Sequence, residues 1–297
     1  MSIGIPVYNG ERYLAQALNA IVEQTFGDFE VIISDNASTD GTREICERFA
    51  SQDDRIRYFR QSQNRGGAWN FNEVVHRANG EYFKWAAHDD LIDPTFLQVC
   101  VENLDAAPPD VILCYPKTTM IDADGDVLSH YEDNLDIRQR TPAGRYRAYL
   151  KNYELSNAMF GLFRIDSLRK TRLHGTYDSA DVVLFSEIAF VGQIWEVPDR
   201  LFKRRWHDGM SRRANPTNRD IALWFDPKNE DVRIMPRTRL FLENIRAVFV
   251  IRMSLPQQIN CGWVLFAEWG PRYWRVVGGE LKRELASVFR RRSHTVA

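Results

Sequence analysis

Apolar positions in the first 115 residues follow two alternating rhythms. Short unbroken runs (IGIPV, EVIIS, IRYFR, EYFKWAA and VILCY) are bounded by polar or Gly-containing stretches, which predicts strands. Between them, apolar residues recur at intervals of three and four, as in Leu14, Ala17, Leu18 and Ile21, or Phe71, Val74, Val75 and Ala78. That spacing predicts amphipathic helices. Asn9 is placed to cap the first helix, and Asp93 before Pro94 to cap the fourth. Alternating strands and helices predict an α/β fold, a mostly parallel Rossmann-like sheet with helices on both faces.

Ligands of such sheets bind beyond the carboxyl ends of the strands. Three polar clusters fall there: Tyr8–Asn9, Asp35–Asn36 and Asp89–Asp90. Beyond residue 115 the pattern is mixed. DADGD at 122–126 lacks the later Gly and Glu of a calcium loop and reads as a hairpin turn. AMFGLFR reads as a strand, ADVVLFSEIAFVG as a helix and LFKRRWH as a half-exposed strand. From about residue 213 the chain reads as helical and rich in Trp.

Composition changes this picture little. The 297 residues suffice for one large domain or a domain with an appendage, and 44% are hydrophobic. A net charge of −1 gives no bulk electrostatic pull toward nucleic acid. Cys46, Cys100, Cys114 and Cys261 have neither zinc-site nor redox-pair spacing, and Cys46 and Cys100, among apolar helix positions, read as buried free thiols of a reducing compartment. The start of the chain has no signal-peptide pattern, and no apolar run approaches the roughly 20 residues of a spanning helix. A cytoplasmic protein is expected, either free or peripheral at the inner face of the membrane. Two readings stay open for the C-terminal aromatics Trp263, Phe266, Trp269, Tyr273 and Trp274, and for the stripe of Leu281, Leu285, Val288 and Phe289 beside Lys282, Arg283 and Arg290 to Arg292. A basic amphipathic helix lies on an anionic membrane, or these helices pack on the rest of the chain or on a second subunit as a homodimer.

The stretch IPVYNGERYLAQALNAIVEQTFGDFEVIISDNASTDGT resembles the opening of family 2 glycosyltransferases, which have the GT-A fold. The likeness continues through NRGGAWNFNEVVHRANGEY, HDD, ADVVLFSEIAFVG and RWHDGMS, in that order. It implies a GT-A domain over residues 1–212 and a helical extension over 213–297. It also implies an inverting transferase that moves a sugar from a UDP-, GDP- or dTDP-linked donor to a glycan or lipid-linked acceptor, assisted by Mn2+ or Mg2+.

By the same resemblance Pro6, Tyr8 and Glu11 line the nucleotide, Asp35 faces its base, and Asp181 at the start of a helix is the catalytic base. Asn36 stands where the family often has a second acid, and Ala180 where it has a Glu. The acidic motif Asp-x-Asp-Asp is reduced, with Ala87 in its first position. Asp90 is assigned to the metal and Asp89 to the ribose or the metal, with the two roles exchangeable. His207 is a further candidate metal ligand, flanked by Arg205, Arg212 and Arg213, whose forks suit diphosphate. Arg65 and Asn70 are candidates for the donor site, with Gly66 and Gly67 permitting close backbone approach and Trp69 a stacking surface. The loss of two family acids leaves one rival reading, a non-catalytic nucleotide-sugar-binding or scaffolding protein. A nucleotidyltransferase would need a Gly-rich, Lys-containing phosphate loop, which VYNGERY is not.

Overall fold

The structure is a computed structural model that describes residues 1–231 and 235–294, with side chains up to Glu230 and from Met235 to Arg283. The chain opens as β1 (Ser2–Val7), α1 (Leu14–Val22), β2 (Glu30–Asp35), α2 (Thr42–Gln52), β3 (Ile56–Arg60), α3 (Gly67–Arg77) and β4 (Tyr82–Trp85). It continues through β5 (Leu91–Ile92), α4 (Phe96–Ala106), β6 (Val111–Ile121), β7 (Val127–Tyr131), α5 (Pro142–Asn152), β8 (Leu162–Arg164), α6 (Ile165–Leu168), α7 (Ala180–Val191) and β9 (Gln193–Arg205). Five helices end it: α8 (Ser211–Ala214), α9 (Asn218–Phe225), α10 (Pro236–Val250), α11 (Leu255–Val264) and α12 (Gly270–His294).

All strands join one sheet in the order β3-β2-β1-β4-β8-β6-β9-β5, with β7 paired to β6. The first four neighbours are parallel, as the alternating pattern requires. β8 then enters antiparallel to both β4 and β6, so the far half of the sheet is mixed. Alternation along β2 sends Val31 and Ile33 into the layer with α1 and α4, and Ile32 into the layer with α3, α5 and α7. Each fully buried Ile or Val contributes about 1.5–3 kcal/mol. All four cysteines are buried and free.

Several local expectations change. α1 starts at Leu14, and Asn9, at φ 53°, instead accepts the Thr39 N–H at 2.9 Å. Thr95 occupies the cap position of α4, and Asp93 pairs with Lys203. AMFGLFR is a strand only over Leu162–Arg164, because Asn157–Phe160 coils into a single tight turn. The DADGD segment is the hairpin turn between β6 and β7, with Gly125 at φ 100°.

The C-terminal helices fold back on the sheet's helical layer. Asn244 of α10 accepts from Ser186 at 2.7 Å and Tyr146 at 3.1 Å. Arg172 bridges Glu187 of α7 and Glu243 of α10. Trp269 stacks on Phe241 at 4.7 Å. The stripe expected from Leu285, Val288 and Phe289 beside Arg290 to Arg292 lies outside the described side chains. No helix among the described residues is long and apolar enough to cross a membrane.

Candidate active site

A cavity of about 440 Å³ opens where β1 and β4 end and α3 begins. Pro6, Tyr8, Asn70, Asp89 and Asp90 line it. Three other candidates face elsewhere. Glu11 accepts the Gly41 N–H at 2.7 Å. Arg65 lies flat on Trp69, 3.9 Å from the ring centroid. Asp35 is fully buried beneath the cavity wall and accepts from Ser38 N at 2.8 Å and Tyr58 OH at 2.7 Å. Asn36 receives the Arg65 N–H at 2.9 Å and donates to Asn64 at 2.8 Å, a donation that an acid in its place could not make. Asn70 ties β1 to β2 through Val7 O and Ser34 O, while its buried Oδ1 has no partner.

The two neighbouring acids divide their charge. Burial alone would raise Asp89, but His88 and a hydrogen bond from His207 outweigh it and hold the carboxyl below the usual range. Burial and the Asp89 charge push Asp90 up to about 7. Asp90 Oδ1 accepts the Arg205 N–H at 2.8 Å, and its Oδ2 has no partner among the described residues. Near the pair, burial draws Lys84 down to about 7, and its amine donates to Phe160 O.

Of the three arginines that flank His207, Arg205 lines the cavity. Arg205 is 1% exposed, and the protein takes its donors: Asp89 O at 2.9 Å, Asp122 O at 3.2 Å, Ala123 O at 3.0 Å and Gln16 Oε1 at 3.0 Å. It braces the cavity floor, with one N–H left uncommitted. Arg213 pairs with Asp208 at 2.7 Å, and Arg212 reaches Asp178 at 3.6 Å. Arg204, one residue earlier on β9, also lines the cavity and gives only one donor to the protein, to Asn157.

A second cavity of about 520 Å³ adjoins the first, and Phe71, Phe160, Arg204, Ser211 and Trp224 line both. Asp181 is on its wall. Asp181 is inside the first turn of α7, with Ser179 in the cap position, so it is not the helix cap. Its Oδ2 accepts the Ser156 hydroxyl at 2.6 Å. His174 lines the same cavity at 8% exposure, and its Nε2 has no partner. Burial pulls its pKa down to about 4, so the ring is neutral at pH 7.

Gly66 and Gly67 admit α9. A Cβ on Gly66 would lie 2.4 Å from Phe225 O, and one on Gly67 would lie 2.8 Å from the Trp224 ring. No spacing signal marked Trp224, because its partners are remote in sequence.

Against known proteins, residues 2–168 match the profile of "Glycosyl transferase family 2". Glycosyltransferase GlyG of Streptococcus pneumoniae is 31% identical over 113 residues, 38% of each chain. The uncharacterized glycosyltransferase RT0329 of Rickettsia typhi is 26% identical over 266 residues, 84% of this chain and 79% of that one. The chain covers well under half of the first curated relatives it matches, 38% of GlyG and 21% of RC0461 of Rickettsia conorii. Among solved structures, Staphylococcus aureus TarS 1–349 in complex with UDP-GlcNAc aligns with a TM-score of 0.62 at 18% identity, over 90% of this chain and 72% of that one. The mannosyltransferase PcManGT of Pyrobaculum calidifontis, in complex with GDP-Man and Mn2+, aligns at 0.52 and 19% identity, over 94% and 84%. These structural likenesses are of fold, a large central sheet flanked by helices as in the GT-A fold that the resemblance implied, with β8 making the expected mostly parallel sheet mixed.

Proposed function

The chain belongs to glycosyl transferase family 2, and on that premise we propose that it transfers a sugar, with inversion, from a nucleoside-diphosphate donor to a hydroxyl of a glycan or lipid-linked acceptor. The observation that carries this reading is the pair of adjoining cavities, one holding Asp89 and Asp90 and the other Asp181. Donor and acceptor can then meet at the wall the cavities share, and inversion needs that in-line approach. The sugars bound by the TarS and PcManGT structures support a nucleotide-linked donor.

Asp181 takes the proton of the acceptor hydroxyl as its oxygen bonds to the sugar carbon. The bond from that carbon to the diphosphate breaks, and its electron pair leaves on phosphate oxygen. Ser156 fixes the Asp181 carboxylate through one oxygen and leaves the other for the acceptor. Arg204, at the junction, is placed to meet charge growing on the leaving group.

Among the described residues no three His, Cys, Asp or Glu side chains converge as a metal cage. The donors at hand fit an ion that brings phosphate oxygens and water with it. Asp90 through its unpartnered oxygen, and Asp89 backed by His207, would hold Mn2+ or Mg2+, which supplies Lewis-acid neutralisation of the diphosphate.

A thermal-shift panel of UDP-, GDP- and dTDP-sugars with Mn2+, followed by nucleotide-release assays with candidate acceptors, tests the proposal. One donor class should raise the melting temperature and turn over. Absence of stabilisation by every donor would overturn it.

A further inference from the structure

Between Pro236 and Arg283 the exposed charged side chains are all basic. Three acids occur between Pro236 and Arg283, and all are drawn inward. Glu243 and Glu280 are 7% exposed, the first held by Arg172 and Arg239 and the second by Thr238. Glu268 is partly buried between Arg147 and Lys151. Arg252, Arg272, Arg275, Lys282 and Arg283 are exposed and pair with no described carboxylate.

Large apolar side chains share this surface. On α11, Leu255, Ile259 and Trp263 recur every fourth residue as one stripe, exposed by 67%, 53% and 71%. On α10, Leu242, Phe249 and Val250 form another stripe around Arg246. Phe241, packed against Phe266 at 5.6 Å, ties α10 to the turn that follows α11. Soluble chains rarely leave so many contiguous apolar side chains in water.

We propose that the α10–α11 face lies on an anionic lipid bilayer, with its cations at the headgroups and Leu255, Ile259 and Trp263 entering the interface. A second copy fits less well, because a two-fold pairing of this face would set cation against cation. Nucleic acid fits less well too, because Leu and Ile neither bind phosphate nor stack on bases.

Flotation of the full-length chain with phosphatidylcholine vesicles, with and without phosphatidylglycerol, tests the proposal. The chain should float with the anionic vesicles only, and added salt should release it. Each cation lost should weaken binding about fivefold, so Arg252→Glu with Arg275→Glu should cost about twentyfold or more. Leu255→Ser, Ile259→Ser and Trp263→Ser combined should cost at least about tenfold. All five positions are exposed, so melting temperatures and donor-induced stabilisation should persist and show that the variants are native. Failure of the unaltered chain to float, or equal flotation of both variants, would overturn the proposal. A concentration-dependent dimer abolished by the triple substitution, without flotation, would assign the face to a second copy. Duplex DNA binding without flotation would assign it to nucleic acid.

Discussion

The Asp89 carboxylate meets the His207 ring at 2.9 Å across 118 residues of chain. The contact joins the turn after β4 to the loop after β9. The two adjacent acids are thereby set apart: His88 and His207 stabilise the charge on Asp89, while burial and that charge push Asp90 up to about 7.

Asp90→Asn keeps an oxygen for the Arg205 N–H but removes the charge. Mn2+-dependent donor binding should disappear, while metal-free nucleotide binding changes little. His207→Ala removes only the support behind Asp89 and should weaken the metal-dependent part by about 10–100-fold. Calorimetric titration of donor with and without Mn2+ measures both. Unchanged metal dependence in Asp90→Asn would take that residue out of the ion site.

Asp181→Asn can still accept the Ser156 hydroxyl but not a proton. Transfer should fall by about 10²–10⁴-fold with donor binding intact. Glu187 cannot substitute, since Arg172 occupies both of its oxygens. If turnover survives the change, Asp178 on the same cavity wall is the acid to mutate next.

The two neighbouring arginines should separate cleanly. Arg205→Met leaves Asp89, Asp122 and Ala123 carbonyls without their donor and should cost about 3 kcal/mol or more in urea unfolding. Arg204→Gln should instead lower transfer rate with a much smaller loss of stability.

His174 gives a pH signature. Its pKa is about 4 when folded against an ordinary value of 6.5, so between these the unfolded chain binds the extra proton. Its contribution is complete above pH 6.5 and lost as pH falls toward 4, by about 3 kcal/mol at most. The stability difference between wild type and His174→Gln, followed by denaturant unfolding across that range, should shrink as pH drops. A pH-independent difference would contradict the buried neutral ring.

Much of this was legible in sequence because it depended on neighbours in the chain. The parallel half of the sheet followed from alternating periodicities, and the acid pair from its place at the end of EYFKWAA. What was missed depends on distant segments. β8 is three residues long, too short to show a period, and its direction is set by β4 and β6 on either side. Arg204 and Arg205 differ only by which face of β9 each points to, and the half-exposed reading of LFKRRWH left that phase open. His174 became visible only when α7 and β4 closed around it.

Gly66 and Gly67 also carry a long-range consequence. The family profile ends at residue 168, yet a ring contributed by residue 224 sits where a Cβ at position 67 would be. The two ends of the chain are therefore keyed to each other. A variant that gains a side chain at either glycine must re-seat α9, and with it the Trp224 ring between the two cavities. Glycine here and the aromatic there act as a pair, so a side chain gained at position 67 would reshape the wall that both cavities share.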